Sequence, residues 1–274
     1  VNIISKGTIF AFLTIAIMKT TVTFLMMICG CASMAQNFYI AHRGASYLAP
    51  ENTVASAKLA WELGADAVEC DVYLSADNRV MVIHDKDTRR TCNGKSFKIA
   101  DTPSVVLRDL DAGAWKDPKY KGERIPFLEE IIATVPEGKT LVVEIKSGSE
   151  VIPHIERILK KCKSKPEIIF IAFGWETIVD AKKAFPENRC YWLSGSKQAA
   201  LGKLQQIREL KIEGVNMQYS AVDEELIGKA RELGLEVLVW TVDDPQEAKR
   251  LAALGITHFT TNRPDWLKQQ MAQD

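Results

Sequence analysis

The amino-acid sequence predicts an α/β fold: a closed (β/α)8 barrel of the TIM type, with a small insertion capping one end after the second or third strand. Three observations predict it. First, a short unit recurs in which a helical stretch ends in Leu-Gly, passes one apolar and one polar residue, and enters a strand. It stands as Leu63-Gly64-Ala65-Asp66 before AVECDVYL, Leu233-Gly234-Leu235-Glu236 before VLVW, and Leu254-Gly255-Ile256-Thr257 before HFTT. Glycine there ends a helix in the left-handed conformation, and such short helix-to-strand turns imply parallel strands with helices packed outside. Second, about eight strand-like runs with interleaved helices over roughly 240 residues match a closed barrel. Third, no G-x-G-x-x-G follows the first strand, which disfavours the doubly wound open sheet.

The elements follow in order. Residues 1–35 read as a signal peptide whose true start lies near Met18: Lys19, the apolar run Phe24-Leu25-Met26-Met27-Ile28, then small residues. Ser33-Met34-Ala35 before Gln36 suits cleavage after Ala35, while Ile28-Cys29-Gly30-Cys31 resembles a bacterial lipobox that would lipidate Cys31. Neither apolar run reaches the ~20 residues of a transmembrane helix. The expectation is an exported protein, periplasmic or lipid-anchored to the envelope, with residues 36–274 as the barrel domain. The first strand, Phe38-Tyr39-Ile40-Ala41, ends in His42-Arg43-Gly44, and Pro50-Glu51-Asn52-Thr53 begins a helix with Asn52 as N-cap. AVECDVYL (67–74) and VMVIHD (80–85) are separated by Ser75-Ala76-Asp77-Asn78-Arg79. That is too short for a parallel crossover, so the pair forms a hairpin. A two-residue Asp77-Asn78 turn would place His84 opposite Asp71. Residues 86–135 form the insertion. LVVEIK (141–146), IIFIAF (168–173), CYWLS (190–194) and GVNMQ (214–218) supply further strands, and Asp244-Pro245 marks a helix start as N-cap and N1 proline.

Composition narrows the partners. Among 274 residues, 35 basic and 35 acidic side chains cancel, so nothing suggests nucleic acid or an anionic membrane as the main partner. Cys70, Cys92, Cys162 and Cys190 show no zinc-type spacing and read as free buried thiols, although export permits disulfides.

The chemistry-bearing residues fall at strand ends. In AVECDVYL, Val68, Cys70, Val72 and Leu74 share one face, and Glu69 and Asp71 share the other, which points inward in a barrel. In LVVEIK, Glu144 and Lys146 share a face. Buried carboxylates are costly unless paired or bound to a cation. Three near one barrel mouth make a hard-oxygen site for Ca²⁺ or Mg²⁺. The plain readings are solvated strand ends, an internal Glu144–Lys146 pair, a structural His84, a Glu51 that only favours the helix dipole, and packing tryptophans at Trp115 and Trp240. They would have to hold at every strand end at once. His154 and His258 are given no role.

These residues, taken in order, resemble the glycerophosphodiester phosphodiesterase family of the PLC-like superfamily. The matching pieces are His42-Arg43-Gly44 with Pro50-Glu51-Asn52-Thr53, Glu69-x-Asp71, His84-Asp85, Gly122-Glu123-Arg124-Ile125-Pro126-x-Leu128-x-Glu130, Glu144-Ile145-Lys146, Trp240-Thr241-Val242 and Thr261-Asn262-Arg263-Pro264-Asp265. The resemblance implies a barrel enzyme that hydrolyses glycerophosphodiesters, such as glycerophosphocholine and glycerophosphoethanolamine, to sn-glycerol 3-phosphate and an alcohol. It implies His42 and His84 as general acid and base, and Glu69, Asp71 and Glu144 as ligands of one divalent cation, Ca²⁺ or Mg²⁺. Arg43 and Lys146 would contact phosphate, and Trp240 would line the glycerol pocket. Asn262 stands where the family commonly has Asp, and Asp77-Asn78 where it has Asp-Gly; both are expected to lie outside the reacting groups. The competing readings are a related barrel phosphodiesterase acting on phospholipid or phosphoinositide, and a non-catalytic exported protein that binds a phosphorylated ligand.

Overall fold

The computed structural model describes residues 36–273; the signal-peptide and Cys31 readings lie outside the described residues. The strands are β1 (Phe38–Ala41), β2 (Ala67–Leu74), β3 (Val80–Val82), β4 (Thr140–Ile145), β5 (Glu167–Ala172), β6 (Arg189–Ser194), β7 (Gly214–Gln218), β8 (Glu236–Trp240) and β9 (His258–Thr261). The sheet runs β1-β9-β8-β7-β6-β5-β4-β2-β3, and a further β1–β2 pairing closes it. Every pairing is parallel except β2 with β3. The result is the expected closed parallel barrel, with β3 hanging off β2 as the second arm of a hairpin.

The helices between strands are α1 (Val54–Glu62), α2 (Ser104–Arg108), α3 (Leu128–Ile132), α4 (Ile152–Lys161), α5 (Trp175–Ala184), α6 (Lys197–Glu209), α7 (Glu224–Glu232), α8 (Pro245–Ala253) and α9 (Pro264–Met271). Gly64, Gly234 and Gly255 all have positive φ, as the recurring Leu-Gly unit requires. Asp244 caps α8 by accepting from the Gln246 amide, with Pro245 in the first turn. Outward-facing strand residues such as Val68, Cys70, Val143 and Phe170 join buried helix residues in the main core. The barrel interior holds a separate apolar plug that includes Ile40, Ala67, Val142, Ile169, Tyr191, Leu193 and Leu238.

Three local expectations need correction. The hairpin pairs Val72 with Val82 and Leu74 with Val80, so Ile83, not His84, faces Asp71, and the Ile83 amide donates to the Asp71 carbonyl at 3.0 Å. The loop is one residue longer than expected because Ser75 closes it: its amide donates to the Arg79 carbonyl and its hydroxyl accepts from the Arg79 amide. Asn78 takes the left-handed conformation there, φ 61°. The N-cap of α1 is Thr53, whose hydroxyl accepts from the Ser56 amide, while Asn52 turns inward at φ 57°. The end of the 86–135 segment is barrel, not cap: Leu128, Ile131 and Ile132 of α3 belong to the main core. The cap before it has its own small core of Met81, Ile83, Cys92, Ile99, Leu107, Leu110, Ala112 and Ile125. Cys70, Cys92, Cys162 and Cys190 are free thiols; Cys162 is only half-buried. Among the described residues no helix is long and apolar enough to cross a membrane.

Candidate active site

The period of two along a strand converts the apolar plug into a polar floor. Ile40, Ala67 and Val142 lie in the plug; two residues further along each chain come His42, Glu69 and Glu144, on the same inward face. Register aligns them, since Ile40 pairs with Ala67 and Asp71 pairs with Glu144. Glu69, Asp71 and Glu144 are buried, with one carboxylate oxygen from each within 4.8 Å of the others. A cavity of about 100 Å³ opens over them at the C-terminal ends of the strands, the usual active-site end of such a barrel. His42, Arg43, Glu69, His84, Glu144 and Lys146 line it together with Ile171, Phe173, Leu193, Asn216 and Trp240. All eight residues singled out in the sequence are therefore together: seven line the cavity, and Asp71 joins them through the carboxylate cluster.

The carboxylates strain against one another. Burial, then the charges of Asp71 and Glu144, push the Glu69 carboxyl well above its ordinary value. Burial and Asp71 raise Glu144 to about 7. Lys146 offsets part of this at 2.9 Å from Glu144 and 3.7 Å from Asp71, so the internal ion pair exists within the cluster. Arg43 contributes its backbone amide to Glu69 at 2.8 Å and its Nε at 3.6 Å from Asp71. Two buried oxygens, Glu69 Oε1 and Asp71 Oδ1, still have no hydrogen-bond partner. Orphaned anionic oxygens converging from three strands fit a hard divalent cation.

Arg43 reaches the site through a strained turn. Its φ is 56° and Gly44 follows at 78°. A Cβ on Gly44 would meet the Ser56 backbone carbonyl carbon at 2.7 Å, so only glycine fits.

Sequence reasoning missed the residues that hold these groups. Asn52 clamps Asp71 twice, Nδ2 donating to Oδ2 at 2.8 Å and Oδ1 accepting from the Asp71 amide at 3.1 Å. Asn52→Ala is expected to leave buried partners unpaired, costing about 1–3 kcal/mol. A thermal melt should register this as a fall of roughly 2–12 °C in Tm. Glu51 is not a helix-dipole residue but a bridge between Arg43 and Arg90. Asn262 is in direct contact with a predicted reacting group, contrary to expectation: its Oδ1 lies 2.8 Å from His42 Nδ1. Its Nδ2 donates to Asp243 at 2.6 Å and its Oδ1 accepts from the Ser46 hydroxyl. With Nδ2 donating to Asp243, the amide oxygen faces Ser46 and His42, and the tautomer that suits this contact carries its proton on His42 Nδ1. Burial and the neighbouring Arg43 lower the His42 pKa to about 4, so the neutral ring presents Nε2 as a lone pair. His84 leaves the hairpin where the chain bends, and its Nδ1 lies 2.7 Å from Asp85 Oδ1. Trp240 donates its indole N–H to the Asn216 carbonyl and meets Phe173 edge-on at 5.5 Å.

Fold and site together define a closed β/α barrel with a buried acidic cluster and two histidines lining the cavity at its mouth. Comparison with known proteins gives its family. The profile of the glycerophosphoryl diester phosphodiesterase family matches residues 42–266. A glycerophosphodiester phosphodiesterase of Caldanaerobacter subterraneus is 34% identical over 235 residues, spanning 83% of this chain and 95% of that one. One from Bacillus subtilis is 29% identical over 247 residues, 82% of this chain and 83% of that one. The structure of an Oleispira antarctica phosphodiesterase in complex with its product sn-glycerol-3-phosphate superposes with a TM-score of 0.80 at 30% identity, covering 86% of this chain and 97% of that one. The chain belongs to the glycerophosphoryl diester phosphodiesterase family, a family of phosphoric diester hydrolases.

Proposed function

We propose that this enzyme hydrolyses small glycerophosphodiesters to sn-glycerol 3-phosphate and an alcohol, using His42 and His84 beside a divalent cation held by Glu69, Asp71 and Glu144. The observation that carries the reading is the single cavity in which both histidines, Arg43 and Lys146 face the acidic cluster. A phosphodiester is an anion that repels nucleophiles, so positive charge must meet it as the transition state develops. A bound Ca²⁺ or Mg²⁺ would supply that charge as a Lewis acid. Arg43 and Lys146 add to it from the lining of the same cavity. His42, neutral with Nε2 free, takes the proton of the attacking hydroxyl or water. His84, whose Nδ1 is held 2.7 Å from Asp85 Oδ1, gives a proton to the leaving alkoxide. Phe173 and Trp240 offer apolar faces to the glycerol carbons, and a cavity of this size suits a deacylated glycerol.

The test is release of sn-glycerol 3-phosphate from glycerophosphocholine and glycerophosphoethanolamine with Ca²⁺, with Mg²⁺ and with EDTA. Release with a cation and none with EDTA is expected; no release under any condition would sink the reading. We also propose export, on the Met18-to-Ala35 pattern. Intact mass spectrometry of the envelope-associated and soluble protein distinguishes cleavage before Gln36 from lipidation at Cys31, and a cytoplasmic protein with an intact leader would overturn it.

A further inference from the structure

We propose that Arg90, a residue of the cap, is a positioning residue that sets both His84 and Arg43 through two carboxylates. All three nitrogens of its guanidinium are engaged. Nε donates to Asp85 Oδ2 at 2.7 Å, Nη1 to Glu51 Oε2 at 2.7 Å, and Nη2 to Glu51 Oε1 at 2.8 Å. Each carboxylate then turns to a group in the cavity. The other oxygen of Asp85 bonds His84 Nδ1 at 2.7 Å, and Glu51 Oε1 also accepts from Arg43 Nη1 at 2.8 Å. The chain His84–Asp85–Arg90–Glu51–Arg43 therefore runs unbroken along the rim, and its middle member is the only one contributed by the cap.

The chemistry of the link favours order over mere attraction. Burial alone would raise Glu51, yet hydrogen bonds from Arg90 and the charges of Arg43 and Arg90 hold its carboxyl at about 2. Burial would likewise raise Asp85, yet hydrogen bonds from Arg90 and His84 hold it at about 2, so both carboxylates stay ionised. A bidentate Arg–carboxylate pair fixes a plane as well as a distance, which a lysine ammonium cannot do. Arg90 is itself 43% exposed and Glu51 only 11%. Loss of the exposed member removes little packing, while leaving Glu51 and Asp85 free to turn. That pattern suits a positioning role better than a packing one.

The inference rests on the proposed roles of His84 and Arg43, and its test separates the two. In an enzyme that releases sn-glycerol 3-phosphate, Arg90→Ala is expected to lower kcat about 10–100-fold, the cost of misplacing a reacting group by about an ångström. KM should rise with it, because Arg43 is loosened too. Asp85→Asn should lower kcat with little change in KM, and Glu51→Gln should act chiefly on KM. Arg90→Lys should be nearly as impaired as Arg90→Ala, and it supplies a folded comparison if the alanine variant is unstable. Guanidinium at millimolar concentration should partly restore Arg90→Ala, whereas ammonium should not. Arg89→Ala, whose guanidinium bonds Ser96 instead, should behave as the unsubstituted enzyme. The proposal is overturned if Arg90→Lys keeps full kcat, or if guanidinium restores nothing. Failure of the unsubstituted enzyme to turn over would instead remove the functional reading on which it rests.

Discussion

Replacing His42 with alanine is expected to lower kcat by about 10²–10⁴-fold while the barrel stays folded, the usual contribution of one positioned acid–base group. The ring stands two residues beyond Ile40 of the interior plug, so it rises from a fixed platform. Its Nδ1 is held by Asn262 and leaves Nε2 for the cavity. Alanine removes the proposed proton acceptor but leaves Asn262 bonded to Ser46 and Asp243, so the amide does not become an orphan. His84→Ala should be comparably damaging to kcat and milder on stability, because that side chain is 30% exposed. Steady-state kinetics beside thermal melts check both. A folded His42→Ala enzyme whose kcat stays within about tenfold of the original would mean that the ring lowers the barrier by no more than about 1.4 kcal/mol. The assignment of His42 as base would then be wrong.

Much of this arrangement is written locally in the chain. The Leu-Gly units at Gly64, Gly234 and Gly255 reveal helix ends because positive φ selects glycine irrespective of tertiary context. The alternation in AVECDVYL places Glu69 and Asp71 inward because a strand has a strict period of two. What stayed hidden depends on choices between near-equal local options. Asn52 and Thr53 are both good N-caps. The cap fell to Thr53 because Asp71 needed two partners that only an inward-turned amide supplies. The hairpin register depended on one hydroxyl, that of Ser75. His84 reaches the cavity by a bend after β3 rather than by ladder register. Asn262 lies 220 residues from His42, and Arg90 lies 39 from Glu51. No periodicity links such pairs, so their partnership emerges only when the barrel closes and the cap folds over its rim.

Chelation is expected to abolish turnover, and cation addition to stabilise the fold in a pH-dependent way. Glu69 and Glu144 both have folded-state pKa values above the ordinary 4.5, Glu144 at about 7. Below about pH 4.5 both folded and unfolded chains carry these protons, so the carboxyls contribute no pH dependence. As pH rises toward 7 the unfolded chain ionises while the folded one retains its protons. The folded state then binds more protons than the unfolded, and the stability of the cation-free protein falls across that window. A cation selects the ionised carboxylates and meets the orphaned Glu69 Oε1 and Asp71 Oδ1, so its stabilising effect grows over the same range. At a hundred times its Kd it should contribute about 2.7 kcal/mol, or roughly 5–10 °C in Tm for a domain of this size. Melts with Ca²⁺, Mg²⁺ or EDTA between about pH 5 and pH 8 read this directly, independently of activity. Glu144→Gln should flatten the response by removing one ligand and one titrating group together. A Tm indifferent to both cations throughout that range would show that Lys146 and Arg43 already satisfy the cluster, and the acidic centre would have to be reassigned from metal binding to direct contact with substrate.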